Sequence, residues 1–292
     1  MLKGSIVALV TPFDKKGALD QDKLKFLINW HIQKGTDGIL VCGTTGESAT
    51  LTHDEHKRII ELAVAEIDKR VPVVAGCGSN STHEALELTE HASKVGADYA
   101  LVITPYYNKP TQEGLYQHFK KINDSVDMPI IIYNVPSRTS INILPSTVAR
   151  IYSDCKNVIG IKEASGLLGQ VAQLMSLVDS NFLLFSGADE VNLPILSLGG
   201  VGAISVVANV LPKESHDLIK SFLSKDIKKA QELQIYFCDI IKALFIETNP
   251  IPLKTALSLM GMIEPVLRLP LCPMAADNLD LLKKTLKKYK LI

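Results

Sequence analysis

Short apolar runs alternate with amphipathic stretches along most of the chain. Eight runs of five or six residues read as strands: Ser5–Val10, Gly38–Cys42, Val71–Ala75, Asp98–Ile103, Pro129–Tyr133, Val158–Lys162, Phe182–Ser186 and Val201–Val206. Their apolar residues run on continuously, the pattern of a strand covered on both faces. Between them, apolar residues recur at helical spacing. His53–Arg70 sets Ile59, Ile60, Leu62, Ala63 and Ile67 among charges and stops at Val71-Pro72. Thr82–Val95 opens on Ser81 or Thr82 as N-cap and stops at Gly96. Leu144–Tyr152 opens on Pro145-Ser146. Strand starts lie roughly 20 to 33 residues apart, the length of one βα unit. Eight such units predict an α/β fold, a (β/α)8 TIM barrel. A doubly wound sheet is the alternative, but no G-x-G-x-x-G follows the first run. After Leu211 the strand signal stops. Lys213–Leu223, Asp226–Glu247, Leu253–Met260 and Met274–Tyr289 read as helices. The expected division is a barrel domain over 1–224 and a helical domain over 225–292.

Composition narrows the class. Of 292 residues, 47% are apolar and 21% charged, so a sizeable core is expected and disorder is not. Lys+Arg and Asp+Glu are 31 each, so no overall field draws nucleic acid or an anionic membrane. The five cysteines are odd in number, widely spaced and without a C-x-x-C pair, which argues against zinc, thioredoxin-like and disulfide readings. A reducing, cytoplasmic compartment fits. Val191–Leu211 carries no charge and imitates a membrane span, but its Asn192, Pro194, Gly199, Gly200, Gly202 and Asn209 argue for a short helix, a turn and a buried strand. Ile6–Val10 is too short for a signal-peptide core.

The candidate chemistry starts from Lys162. Val158-Ile159-Gly160-Ile161 runs straight into it, so an amine stands at the end of a buried strand. Burial lowers an amine's pKa, and the neutral amine attacks a ketone to form a Schiff base. The plain alternative is a lysine that snorkels to solvent or pairs with Glu163. Other strand ends carry Gly43-Thr44-Thr45-Gly46-Glu47, Thr104-Pro105-Tyr106-Tyr107, Tyr133-Asn134-Val135-Pro136 with Arg138, and Ser186-Gly187. Barrel enzymes place their chemistry at these ends. Taken together, the set suits a carbonyl substrate bearing a carboxylate. Lys162 forms an imine, Tyr133 relays protons, and the Thr44/Thr45 turn offers N–H groups to the carboxylate. No strand-end His/Asp cluster points to a metal, and no cofactor is expected.

The stretches Gly43-Thr44-Thr45-Gly46-Glu47, Tyr133-Asn134-Val135-Pro136-Ser137-Arg138-Thr139 and Gly160-Ile161-Lys162-Glu163-Ala164-Ser165 resemble the signatures of the dihydrodipicolinate synthase family, within the pyruvate-dependent class I aldolases. The resemblance extends to Thr248-Asn249-Pro250-Ile251-Pro252-Leu253-Lys254 and covers essentially the whole chain. It implies a lyase of lysine and diaminopimelate biosynthesis that condenses pyruvate with L-aspartate 4-semialdehyde. Lys162 resembles the Schiff-base lysine. Tyr133 resembles the proton relay, with Thr44 and with Tyr107, which in the family reaches in from a neighbouring subunit of a homotetramer, a dimer of dimers. Thr45 resembles a pyruvate-carboxylate ligand and Arg138 the ligand of the aldehyde substrate's carboxylate. Gly187 and Ile204 resemble site-lining residues. Ser48, Ala49, His53, His56, Asn80, Glu84 and Tyr106 together resemble an L-lysine feedback site, although locally the two histidines read as a solvated helix face. Ala188 and Ser140 depart from the usual acid and glycine. A related sugar-acid aldolase of the N-acetylneuraminate lyase type is the alternative, and a non-catalytic amino-acid-binding barrel is a reading from another class.

Overall fold

Each apolar run becomes a strand of one closed parallel sheet. The computed structural model describes residues 2–292. The strands are β1 (Gly4–Ala8), β2 (Gly38–Val41), β3 (Val73–Gly76), β4 (Tyr99–Ile103), β5 (Ile130–Asn134), β6 (Val158–Glu163), β7 (Leu183–Ser186) and β8 (Gly202–Ser205). They follow one another in chain order around the barrel, and β8 closes on β1. The (β/α)8 architecture expected from the run spacing is therefore present. Alternate residues face opposite ways. Ile6, Leu40, Val74, Leu101, Ile131, Tyr133, Phe185 and Ile204 fill the barrel interior. Val7, Ile39, Val41, Val102, Ile132, Ile161 and Leu184 face the surrounding helices.

One irregularity positions the chemistry. Between β5 and β6 the register shifts at Ile130/Ile131: Ile130 pairs with Val158, but Ile131 pairs with Gly160. The extra residue, Ile159, is a one-residue bulge. Beyond it, Tyr133 stands beside Lys162 and Asn134 beside Glu163. Without the bulge, Tyr133 would meet Ile161, and the lysine would lie beside a residue of the opposite face.

The helices depart from expectation mainly at their ends. Thr82–Val95 has the predicted bounds, capped by the Ser81 side chain and ended by Gly96 in the left-handed region. The helix opening at His53 ends at Ile67 rather than Arg70, because Asp68 and Lys69 take positive φ. The single helix expected over Asp226–Glu247 is two, Ile227–Tyr236 and Cys238–Leu244, joined at Phe237. Helices Ile251–Leu259 and Ala276–Lys288 complete the C-terminal part. Phe237, Ile240, Leu244, Leu253, Leu257, Leu282 and Leu286 belong to the same apolar cluster as the outer face of the barrel strands. The uncharged segment Val191–Leu211 folds as the short helix Asn192–Ser197, then β8, then a 3-10 turn over Val207–Asn209. Among the described residues, no helix is long and apolar enough to cross a membrane.

Candidate active site

Lys162 lies on the inner face of β6 near its C-terminal end, and only 5% of its surface is exposed. Its Nζ stands 4.3 Å from the centre of the Tyr133 ring. Burial pulls the amine down to about 8, with Arg138 pushing the same way and Asp189 opposing. Removing water from an ammonium disfavours the charged form, so a usable fraction of Lys162 is neutral near physiological pH. The room around it comes from Gly187. A Cβ there would stand 2.9 Å from both Lys162 Cγ and Ala164 Cβ. The Tyr133 phenol is raised, chiefly by burial, while Arg138 and Thr44 pull it down.

Glu163 does not pair with the lysine, contrary to the plain alternative. Neighbouring strand residues point to opposite faces. Glu163 is buried on the outer face, where it accepts hydrogen bonds from Asn134 Nδ2 (3.0 and 3.2 Å) and from the Ser165 N–H (2.6 Å).

The turn after β2 has its own bracing. Thr11 Oγ1 donates to the Gly46 carbonyl at 2.6 Å. Gly76 allows β3 to approach the Cys42 carbonyl so closely that a Cβ would lie 2.2 Å from it. Glu47 has left-handed backbone (φ 54°) and turns its carboxylate inward, away from solvent. There it meets Lys254 Nζ at 2.5 Å and the Arg268 N–H at 3.2 Å. The two side chains of the Glu47–Lys254 pair are 0% and 1% exposed. The Arg268 guanidinium binds Glu55 (2.6 and 2.7 Å) and the Gly17 and Thr50 carbonyls, holding the Glu55 carboxyl down to about 2. Two elements from the C-terminal part thus pin the turn. The N–H groups of Thr44 and Thr45 have no protein acceptor among the described residues. They are donors in reserve for an anion.

Lys162, Tyr133, Thr44, Thr45, Arg138, Gly187 and Ala188 line one cavity of about 340 Å³. Arg138 sits on a single helical turn, Pro136–Thr139, and donates from Nη2 to the Asn249 carbonyl at 3.3 Å. Ser140 ends that turn at φ 56°, which explains why glycine is at home in this position. Ile204 lies deeper in the barrel and does not line the cavity. Tyr107 is 88% exposed at φ 68°, and its own chain's cavity does not include it.

A second cavity of about 400 Å³ adjoins the first and shares Gly43, Thr44, Tyr133, Arg138 and Asn249 with it. Ser48, Ala49, His53, His56, Glu84 and Tyr106 line it. Asn80 does not; its carbonyl accepts from Asn108 Nδ2. The reading of His53 and His56 as a solvated pair is corrected. His53 is exposed, but His56 is buried, with Nε2 2.7 Å from the Gly76 carbonyl, and burial lowers it to about 4. It is a neutral structural histidine in the cavity wall.

Two site residues escaped sequence reasoning. Asp189 is buried, accepts from the Val206 and Val207 N–H groups (2.9 and 3.0 Å), and raises the Lys162 amine. Asn249 joins the two substrate-facing turns through Thr45 and Arg138. Both make contacts across the barrel mouth that no local pattern signals. Among the described residues, no three His, Cys, Asp or Glu side chains are grouped to hold a metal ion.

Known proteins resemble this chain in sequence and fold. The model of the dihydrodipicolinate synthetase family matches residues 1–289. A 4-hydroxy-tetrahydrodipicolinate synthase of Sulfurihydrogenibium sp. (strain YO3AOP1) is 53% identical over the whole of both chains. The crystal structure of dihydrodipicolinate synthase from Aquifex aeolicus superposes with TM-score 0.97 at 49% identity, covering 99% of this chain and 98% of that one. The chloride-inhibited enzyme of Acinetobacter baumannii complexed with pyruvate gives 0.97 at 43% identity over all of both chains. The enzyme of Cyanidioschyzon merolae with lysine bound gives 0.96 at 38%, covering 100% and 99%.

Proposed function

The chain belongs to the dihydrodipicolinate synthetase family, and on that premise we propose that it is a Schiff-base lyase condensing pyruvate with L-aspartate 4-semialdehyde to form 4-hydroxy-tetrahydrodipicolinate. The observation that carries this reading is the buried, partly neutral Lys162 beside Tyr133, in a cavity whose facing turn has unspent N–H donors. The neutral amine of Lys162 attacks the pyruvate carbonyl carbon, and the carbinolamine loses water to give a protonated imine. Loss of a methyl proton converts the imine to an enamine, with the imine nitrogen as electron sink. The enamine carbon attacks the aldehyde carbon. The substrate's amine then displaces Lys162 as the ring closes.

The residue roles belong to the same proposal. The Thr44 and Thr45 turn receives the pyruvate carboxylate. Tyr133 shuttles protons at the imine, in line with Thr44 and with a Tyr107 supplied by a neighbouring subunit. The exposure of Tyr107 in the isolated chain supports that assignment, as a tetramer built from dimers would cover it. Arg138 holds the aldehyde substrate's carboxylate, and the absence of an acidic partner for its guanidinium among the described residues is consistent with that. L-Lysine occupies the adjoining cavity, with Glu84 facing its ammonium. The enzyme acts in the cytoplasm, where the buried thiols Cys42, Cys77 and Cys155 stay reduced.

A coupled assay with pyruvate decides the second substrate. Turnover with aspartate semialdehyde and none with sugar-acid substrates is expected; the reverse result overturns the assignment. Arg138→Ala should raise the apparent KM for the aldehyde far more than for pyruvate, because the Arg138 guanidinium, exposed at the rim of the cavity, would meet the aldehyde's carboxylate and not that of pyruvate. Equal effects on both substrates would make Arg138 structural.

A further inference from the structure

The amide of Asn249 determines what the Thr45 hydroxyl has left to offer. Asn249 is 5% exposed and lies in the wall shared by the two cavities. Its Nδ2 donates to Thr45 Oγ1 at 2.9 Å. Its Oδ1 is buried and has no donor. Thr45 is therefore the amide's one side-chain partner, and the amide meets it with nitrogen. A threonine hydroxyl has one proton and two lone pairs. Here one lone pair is occupied, and the proton remains available. A carboxylate only accepts hydrogen bonds. Had the amide turned its oxygen toward Thr45, that oxygen would consume the proton, and Thr45 would present lone pairs to an anion. The second link of Asn249 is independent of the amide, since its backbone carbonyl accepts from Arg138 Nη2 at 3.3 Å.

We propose that Asn249 is a positioning residue for the 2-oxo acid substrate, its Nδ2 fixing the Thr45 hydroxyl as a donor aimed at the substrate carboxylate. The inference rests on the reading of Thr45 as a pyruvate-carboxylate ligand. Leucine has nearly the shape of asparagine and makes no hydrogen bond. In Asn249→Leu the Thr45 proton is no longer oriented, while the backbone link to Arg138 persists.

The test is a double-mutant cycle of Asn249→Leu and Thr45→Val. It reads the pyruvate concentration that half-saturates borohydride trapping, together with the KM for the aldehyde. A hydrogen bond to a charged group sets the scale of loss at about tenfold. Asn249→Leu should raise half-saturating pyruvate about tenfold with little change in the aldehyde KM. The same change should have almost no effect once Thr45 is valine, because coupled residues are not additive. If Thr45→Val alone leaves half-saturation unchanged, the Thr45 hydroxyl does not hold the carboxylate and the proposal falls, while the backbone N–H groups of the turn still stand as carboxylate donors. If Thr45→Val weakens pyruvate but Asn249→Leu has no effect, or the same effect in both backgrounds, the carboxylate reading survives and the proposal falls. Should Asn249→Leu fail to fold, neutron diffraction of the unmodified protein decides. A deuteron on Nδ2 pointing at Thr45 Oγ1 is the expected result. A Thr45 deuteron pointing at the Asn249 side chain overturns the proposal.

Discussion

At the scale of single residues, Lys162 trades stability for reactivity. Its amine titrates near 8 in the fold, against 10.5 in a free lysine. The sign follows from linkage. Below pH 8 both the folded and unfolded chains carry the proton, and the fold bears the full cost of the buried charge. Between about 8 and 10.5 the unfolded chain holds more protons, so stability rises with pH. The cost is on the order of 3 kcal/mol. Lys162→Met should therefore raise the melting temperature at pH 7, and the gain should shrink as pH climbs toward 10. A Met variant no more stable at pH 7 would show that the ammonium is well solvated. Reactivity runs the other way. The rate of imine formation should rise about tenfold per pH unit below 8 and level off above it. A rise continuing past pH 10 would mean that the amine is not perturbed. The lysine itself was legible in the sequence only in company: alone, a strand-end amine reads as one that snorkels to solvent, and it was the hydroxyls, arginine and glycine turns at the other strand ends that marked it as a nucleophile. The bulge at Ile159 that sets it beside Tyr133 was not, since register depends on the pairing of two strands rather than on either alone.

At the scale of elements, the turn after β2 depends on contacts from far along the chain. Glu47 and Lys254 are 207 residues apart and almost wholly buried. Such a pair is a poor source of net stability, but breaking it leaves a buried charge unmatched. Lys254→Met alone should cost about 3–5 kcal/mol. Glu47→Gln with Lys254→Met should restore much of that loss in a urea titration. If the two changes add simply, the residues act separately. The Gly-Thr-Thr-Gly-Glu stretch was readable as a turn, and the strands and most helices as elements. The inward carboxylate was not, because a glutamate at the end of a turn ordinarily faces water. His56 failed for the same reason. Its helical spacing from His53 was correct, but burial is set by what packs on the helix, here the Gly76 end of β3. A His56→Lys substitution would put an ammonium into that wall, so it cannot serve as a clean probe of ligand binding. Glu84→Thr is the better one.

At the scale of the whole molecule, the proposed function assigns the first cavity to catalysis and the adjoining one to its control. They share Thr44, Tyr133 and Arg138, so a ligand in the second cavity touches the walls of the first. Coupling across so short a path needs no distant relay. Calorimetry should show L-lysine binding that Glu84→Thr weakens, with basal turnover retained. No binding at millimolar lysine would remove the regulatory assignment. The exposed Tyr107 makes assembly part of the same account. Tyr107→Trp should loosen the proposed tetramer in light scattering and lower turnover, whereas a fully active monomer would contradict the proposed borrowed relay. The barrel was legible from eight recurring runs. The exposure of Tyr107 was not legible from the residues themselves, because a lone chain's sequence marks an exposed aromatic no differently from a buried one.

Whether Lys162 attacks pyruvate is decided by borohydride trapping followed by intact-mass analysis and peptide mapping. One reduced pyruvyl group per chain, carried on the peptide containing Lys162 and absent from Lys162→Arg, is the predicted result. No mass increase with pyruvate, or an adduct on another lysine, would contradict it.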